Sequence, residues 1–254
     1  MIDIIIQGGI WDNTYFTALK YLQLTFTNKV IISTWDYEQE KCSTYAPNDK
    51  IEYIFSKPPE RDDLRNLNYQ IISSREGLKL STTDIVIKAR SDQTISSKDM
   101  EMLNVFYNKF HEGKEIFTLG MGTHFPYHPQ DHVFWGRRED LINLFDLPPT
   151  SYSTHESKID FNITLRSNIH LGVYYYARFS ELAKKHSTDP EKYLLDSAPN
   201  RQEAFDEYFR IQSLGFKPFP RVNMEWHKYG GGYMYQGYAE QGEVYHDEPL
   251  DDTT

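Results

Sequence analysis

Three charged residues at alternate positions, Lys88, Arg90 and Asp92, follow the apolar run at residues 85–87. Such a run predicts a buried strand, and alternate positions of a strand lie on one face of its sheet. A carboxylate at the carboxyl end of a strand can hold a divalent cation against a phosphorylated ligand. We therefore predict that Asp92 is a metal ligand and that Arg90 contacts phosphate. Lys88 could also approach phosphate, or it could be a buried partner for Asp92.

A second carboxylate that could do chemistry is Asp131, in an irregular stretch before the apolar residues 133–135. A carboxylate beside an apolar wall can have a raised pKa and serve as a general base. Asp131 could instead position an acceptor or cap a turn. Glu156, in a polar stretch further along the chain, is the rival candidate for the base.

The ends of two other predicted strands carry small or polar residues. Gln7 and Gly8 end the first strand, where a glycine lets backbone approach a ligand closely. Ser33, Thr34 and Trp35 end the next one. If the two strands are neighbours, these residues are candidates to bind a base or ribose. For Trp35, a place in the core is the alternative.

The elements that must position these residues alternate in the first half of the chain. Hydrophobic periodicity predicts strands at 2–7, 30–34, 51–56, 84–90 and 116–119, with helices at 13–27, 62–79 and 97–110. Residues 121–136 read as a loop, and helices follow at 138–145, 168–185, 189–196 and 201–214. This order predicts an α/β fold with a mostly parallel, doubly wound sheet and a helical C-terminal half.

The same pattern suggests how the chain is divided. We predict one domain over residues 1–230, in which residues 1–120 alternate strand and helix and residues 121–230 are mainly helical. Residues 231–254 carry six acids and no Lys or Arg, and we interpret them as a flexible acidic tail.

The ordered set of motifs resembles the WavE lipopolysaccharide-synthesis family over about residues 2–210. The matching pieces are Gln7-Gly8, Ser33-Thr34-Trp35, Asn68-Tyr69-Gln70 with Gly77-Leu78, Lys88 to Asp92, and Asp131 to Gly136. The resemblance implies a glycosyltransferase with an A-type fold (GT-A). It also implies that residues 1–120 bind a nucleotide-sugar donor, that residues 121–230 form the acceptor half for a glycan, and that the cofactor is Mn²⁺ or Mg²⁺. The sequence departs from the Asp-x-Asp motif of A-type transferases at one position, because Arg90 replaces the first aspartate. That replacement leaves dependence on a metal open.

The resemblance extends the set of candidate site residues. His227 is placed where many A-type transferases have a second metal ligand, and the neighbouring Lys228 could contact diphosphate. Arg65, Asn68 and Arg75 belong to a predicted helix beside the sheet edge; Asn68 and Arg75 are seven apart and share a face. A solvated helix face is the alternative for Arg75.

Bulk properties narrow the classes of function. The 27 Lys and Arg against 37 Asp and Glu give a net charge of −10, which argues against nucleic acid as a partner. The chain has one cysteine, and it shows no signal peptide and no apolar run of spanning length, so we expect a cytoplasmic protein. A non-catalytic sugar- or nucleotide-binding module is the alternative to a transferase. A nucleotidyl- or phosphoryl-transferring enzyme is disfavoured because no Gly-x-x-x-x-Gly-Lys-Ser/Thr loop is present.

Overall fold

The computed structural model describes residues 1–60, 67–110, 116–118, 129, 131–147, 167–188, 198–218, 223–226 and 233–236. Its main sheet has seven strands in the order β3-β2-β1-β4-β7-β6-β8. Their bounds are β1 Ile2–Gln7, β2 Thr27–Trp35, β3 Ile51–Ser56, β4 Ile85–Arg90, β6 Ile116–Thr118, β7 Val133–Arg137 and β8 Phe216–Pro218. Four neighbouring pairs are parallel, and only β7 runs antiparallel to its neighbours β4 and β6. The prediction of a mostly parallel sheet is confirmed.

Eight α-helices lie in the described part of the chain. They are α1 Thr14–Tyr21, α2 Gln39–Ser43, α3 Leu67–Leu80, α4 Met100–Phe110, α5 Arg138–Phe145, α6 Ser167–Tyr176, α7 Glu181–Thr188 and α8 Ala198–Gly215. Short 3₁₀ turns precede α2 and α4. None of these described helices combines the length and the apolar character needed to cross a membrane.

Helices cover both faces of the sheet, because every strand buries side chains alternately on each side. On one face, α3 and α5 to α8 pack around residues such as Ile5 and Phe134. On the other, α1 and α4 pack around residues such as Ile4 and Trp135. The doubly wound arrangement predicted for this α/β fold is therefore confirmed.

The second half of the chain contains more strand than the sequence suggested. Residues 133–136, predicted as part of a loop, form most of β7, because Val133 to Trp135 pair with the central strand β4. A second sheet joins β5 (Gln93–Ile95), β9 (Asn223–Trp226) and β10 (Tyr233–Gln236) in antiparallel order. β10 falls in the segment predicted as a flexible tail, so ordered structure extends past residue 230.

Candidate functional site

The antiparallel strand β7 brings distant residues together at the carboxyl edge of the sheet. Ala89 pairs with Val133, and the backbone N–H of Arg90 donates to the carbonyl of His132 at 3.2 Å. Since β7 starts where β4 ends, Asp131 lies beside Arg90, although the two are 41 positions apart. This edge is where α/β sheets bind their ligands.

The Arg90 guanidinium joins two carboxylates at this edge. Its Nε and Nη2 donate to the two oxygens of Asp92 at 2.9 and 2.7 Å, and its Nη1 donates to Asp131 Oδ2 at 3.2 Å. The side chain of Arg90 is 27% exposed, whereas those of Asp92 and Asp131 are 10% and 7% exposed. The sequence-predicted residues Arg90, Asp92 and Asp131 therefore form one charged cluster, and its arginine is the most accessible member.

Two further side chains, Gln70 and Lys88, complete the cluster through contacts with Asp131. Gln70, on α3, donates its amide to Asp131 Oδ2 at 2.9 Å. Lys88 is fully buried, and its Nζ donates to the backbone carbonyl of Asp131 at 2.8 Å. The ammonium also lies 5.4 Å from the ring centre of Phe134 and 5.6 Å from that of Phe145. Lys88 therefore supports the segment that carries Asp131, through the backbone of that residue.

These contacts set the ionisation of Asp131. Burial alone raises the pKa of its carboxyl, but the nearby positive groups, Arg90 first and then His132 and Lys88, together outweigh burial and hold the pKa well below its ordinary range. The premise of a raised pKa, drawn from the apolar residues that follow, is therefore wrong. The role of Asp131 as a general base stays a prediction, without that support.

Burial has the opposite effect on Lys88. It lowers the pKa of the ammonium from 10.5 to about 7, against the attraction of Asp131. The neighbouring His132 is also buried, and burial lowers its pKa to about 4. Its Nδ1 lies 2.9 Å from Gln93 Oε1, so this imidazole links the cluster to β5.

The carboxylates at this edge do not fit a divalent cation as they are arranged. Both oxygens of Asp92 accept hydrogen bonds from Arg90, whose guanidinium cannot lose its proton in a protein. Among the described residues no three His, Cys, Asp or Glu side chains converge to hold a metal. The predicted Mn²⁺ or Mg²⁺ stays a prediction that the described residues do not support.

The end of β1 approaches the end of β4 very closely. Gly8 has a φ of 118°, and a Cβ built on it would lie 2.7 Å from Ser91 Oγ. The N–H of Gly8 donates to the carbonyl of Ser33 at 3.0 Å, and that of Ser91 donates to the carbonyl of Gln7 at 2.9 Å. Only glycine satisfies both the backbone conformation and the close approach. Gly8 therefore lies next to the charged cluster, and its backbone contact with a ligand stays a prediction.

The polar side chains predicted on β1 and β2 connect the sheet to α3. Ser73 Oγ donates to Gln7 Oε1 at 2.7 Å, and Ser33 Oγ donates to the carbonyl of Ser73 at 2.6 Å. Thr34 is also buried, and its hydroxyl donates to Glu38. These interactions make Gln7, Ser33 and Thr34 parts of the scaffold behind the edge; direct contact with a donor stays a prediction.

The remaining described candidates lie around α3. Trp35 is buried and packs edge-on against Tyr69, with ring centres 4.9 Å apart, which is the core position considered as the alternative. Asn68 is buried on the same helix. Arg75 is partly exposed, and its Nε lies 3.5 Å from Glu76 Oε1. Arg65, Glu156, His227 and Lys228 lie outside the described residues.

Two residues that contribute to the site, Gln70 and Glu38, were not among the candidate site residues. Gln70 belongs to the Asn-x-Gln motif, and its spacing from Asn68 was the available signal. Glu38 accepts a hydrogen bond from the N–H of Ile10 at 2.8 Å and another from Thr34, so it fixes the loop after β1. No sequence pattern marks Glu38, because its partners come from two separate strands.

Comparison with known families identifies the chain's relatives. The model for WavE lipopolysaccharide synthesis matches residues 17–178, which is well over half of the chain. The chain belongs to the WavE family. The resemblance read from the motifs is confirmed by this match. Among curated proteins, none matches the sequence.

Several solved structures have similar folds at low identity. HddC from Yersinia pseudotuberculosis is 14% identical and shares 63% of this chain and 85% of its own, with a TM-score of 0.38. TarS 1–349 from S. aureus is 12% identical and shares 70% of this chain and 56% of its own, with a TM-score of 0.42. Rv0371c from Mycobacterium tuberculosis H37Rv is 13% identical and shares 57% of this chain and 75% of its own, with a TM-score of 0.41. The assignment rests on the family match alone.

Membership in the WavE family supports a transferase of nucleotide-sugar chemistry that acts in lipopolysaccharide synthesis. Both glycosyl transfer and nucleotidyl transfer belong to this class of chemistry.

Proposed function

We propose that the protein is a glycosyltransferase. It moves a sugar from a nucleotide-sugar donor to a glycan acceptor in the synthesis of a surface polysaccharide or a glycoprotein glycan. The observation that carries this proposal is the cluster of Arg90, Asp92 and Asp131 at the carboxyl edge of a mostly parallel sheet. A departing nucleoside diphosphate needs a cation at such an edge, and the cluster supplies one.

The donor lies, in this proposal, across the ends of β1 and β4. The backbone of Gly8 packs against Ser91 without room for a side chain, which brings the ends of β1 and β4 side by side. Arg90 faces the diphosphate, because it is the accessible charge of the cluster. Gln7, Ser33 and Thr34 hold this edge in place through α3 and Glu38.

Asp131 is the proposed general base that takes the proton of the acceptor hydroxyl. Its carboxylate is ionised at neutral pH, since Arg90 keeps its pKa low. A carboxylate of low pKa is a weak base, so the hydrogen bonds from Arg90 and Gln70 must loosen as the acceptor binds. Glu156 remains the rival for this role.

A non-catalytic nucleotide- or sugar-binding module is the second candidate function. One observation favours it: both oxygens of Asp92 and one oxygen of Asp131 are already paired within the cluster. Such a module would bind a donor without breaking its bond to the sugar.

A donor screen separates these functions. The protein is incubated with UDP-, GDP-, CMP- and dTDP-sugars, with and without Mn²⁺, and both its melting temperature and the release of free sugar are measured. A glycosyltransferase slowly passes its sugar to water, so a stabilising donor should also be hydrolysed. Stabilisation by a donor that is never hydrolysed would favour the binding module. Formation of a nucleotide sugar from a nucleoside triphosphate and a sugar phosphate would instead identify a nucleotidyltransferase.

A further inference from the structure

The position of a cation at the carboxyl edge is already filled by a side chain. Arg90 comes two residues before Asp92 on the same strand, and its guanidinium makes a two-pronged pair with that carboxylate at 2.9 and 2.7 Å. A third bond of 3.2 Å reaches Asp131, from the start of β7. A planar guanidinium held on two sides in this way has a fixed orientation.

The same arrangement removes the oxygens that a metal would need. Mg²⁺ and Mn²⁺ bind through carboxylate oxygens that face the ion. In Asp92 both oxygens face Arg90, and in Asp131 the Oδ2 atom accepts from both Arg90 and Gln70. The carboxylates are therefore arranged as supports for the arginine.

We propose that Arg90 takes the place of the divalent cation and that this site binds the diphosphate of its nucleotide sugar without a metal. This inference rests on the proposed function and names the group that neutralises the diphosphate. Asp92 is a positioning residue here, since it acts through the guanidinium.

Three features of the structure support this assignment. The guanidinium of Arg90 matches the geometry of phosphate oxygens, which makes arginine a common phosphate-binding residue. Its side chain is the most exposed of the three charged groups, at 27%. The two carboxylates raise the pKa of Arg90 against the effect of burial, so the positive charge is retained throughout the physiological range.

The first test measures binding of inorganic pyrophosphate by calorimetry in the presence of EDTA. We expect the wild-type protein to bind pyrophosphate, and Arg90→Lys to bind at least tenfold more weakly, because lysine keeps the charge but loses the planar fork. Arg90→Lys also retains a cation between the carboxylates, and its melting temperature reports whether it folds. Arg90→Gln serves as a second variant if Arg90→Lys does not fold. Arg210→Gln, at an exposed position on α8 paired with Glu207, is the matched control and should bind like the wild type.

The second test measures binding of Mn²⁺ alone by electron paramagnetic resonance. We expect no Mn²⁺ site that depends on Asp92. A stoichiometric Mn²⁺ site that Asp92→Asn abolishes would overturn the inference. So would wild-type affinity for pyrophosphate in Arg90→Lys, or no pyrophosphate binding by the wild type in EDTA.

The donor screen distinguishes failure of this inference from failure of the proposed function. Donor binding and hydrolysis that appear only with Mn²⁺ would refute the role of Arg90 and leave the glycosyltransferase proposal intact. Absence of binding to every donor of the panel, with and without Mn²⁺, would refute both.

Discussion

Replacing the buried Lys88 by methionine should change the pH dependence of stability in a specific way. Lys88 is fully buried, and its pKa falls from 10.5 to about 7 on folding, mainly because of burial. A difference of about 3.5 in pKa corresponds to about 5 kcal/mol. At pH 7 and below, Lys88 lowers the free energy of unfolding by almost all of this amount, because unfolding hydrates the buried ammonium.

The direction of this pH dependence follows from the number of protons that the folded and unfolded states bind. Between about pH 7 and 10.5 the unfolded chain holds the Lys88 proton while the folded chain has released it. The unfolded state binds more protons in this window, so the contribution of Lys88 to the free energy of unfolding rises with pH. Above pH 10.5 both states are neutral at this position, and the destabilisation disappears.

Lys88→Met removes the ammonium and also removes a hydrogen bond. The carbonyl of Asp131 loses its 2.8 Å donor, which costs about 1–3 kcal/mol for a buried group. Methionine fills the channel between Phe134 and Phe145 with a similar unbranched chain. At pH 7 we therefore expect the variant to be more stable than the wild type by about 2–4 kcal/mol. Near pH 10.5 it should be less stable, by about 1–3 kcal/mol.

The measurement is urea unfolding of both proteins at matched pH values from 6.5 to 10.5. Subtracting the two free energies of unfolding cancels the titration of all other groups. Lys79→Met is the matched control, because Lys79 is an exposed lysine on α3 and its replacement should change stability by less than about 0.5 kcal/mol at every pH. A difference between wild type and Lys88→Met that is constant across this range would refute the reasoning.

Three further changes give separate expectations. Asp131→Asn should keep nucleotide affinity while transfer to the acceptor falls by about 10²-fold, the scale of losing a general base, measured in a transfer assay. Gly8→Ala should destabilise the fold by about 1–3 kcal/mol in urea unfolding, because its φ of 118° is strained for alanine and its Cβ would meet a serine hydroxyl at 2.7 Å. Truncation after Gly232 removes β10 and should lower the melting temperature by about 2–4 °C, the shift for a loss of about 1 kcal/mol in a chain of this size.

Each of these three has its own control and its own contrary result. Unchanged transfer in Asp131→Asn would move the role of base to Glu156. Gly9→Ala is the control for Gly8→Ala, because its Cβ would have ordinary space at 3.4 Å from Glu38; equal losses in both variants would contradict the argument. Truncation after Gln236 keeps β10, so an equal change in melting temperature for the two truncations would show that β10 contributes nothing.

The sequence predicted the part of the fold that depends on local periodicity. β1 and β3 have the predicted bounds because each is a mainly apolar run that is soon followed by Gly or Pro, and α5 has its predicted bounds because its apolar residues recur at helical spacing. The strands β5, β8, β9 and β10 are three or four residues long, too short for a period to show.

β7 was missed for a different reason. Its residues form a continuous apolar run, which is typical of a strand buried on both faces but carries no information on direction. The run was therefore recognised as apolar and not as a strand antiparallel to β4. The direction of β7 decides the site, because it brings Asp131 to the end of β4.

The candidate site was predicted at the level of residues and not of their interactions. The i, i+2 spacing of Arg90 and Asp92 on one strand is consistent with the pair that forms. The contact between Arg90 and Asp131 depends on the tertiary fold, and with it the low pKa of Asp131. A local reading of the apolar neighbours of Asp131 predicted the opposite shift for this reason.

A comparison within the molecule shows why the cluster is better explained by a ligand than by stability. Asp3 is also fully buried, but it lies at the start of β1 and accepts from Asn28, Ser81 and the N–H of Thr82 at 2.7–3.0 Å. Those contacts tie neighbouring chain segments together with neutral donors. At the other end of the sheet, Lys88 and Arg90 carry charge into a region where an apolar core would be at least as stable. Charge held at this cost, and exposed only at the carboxyl edge, has a use where an anionic ligand binds.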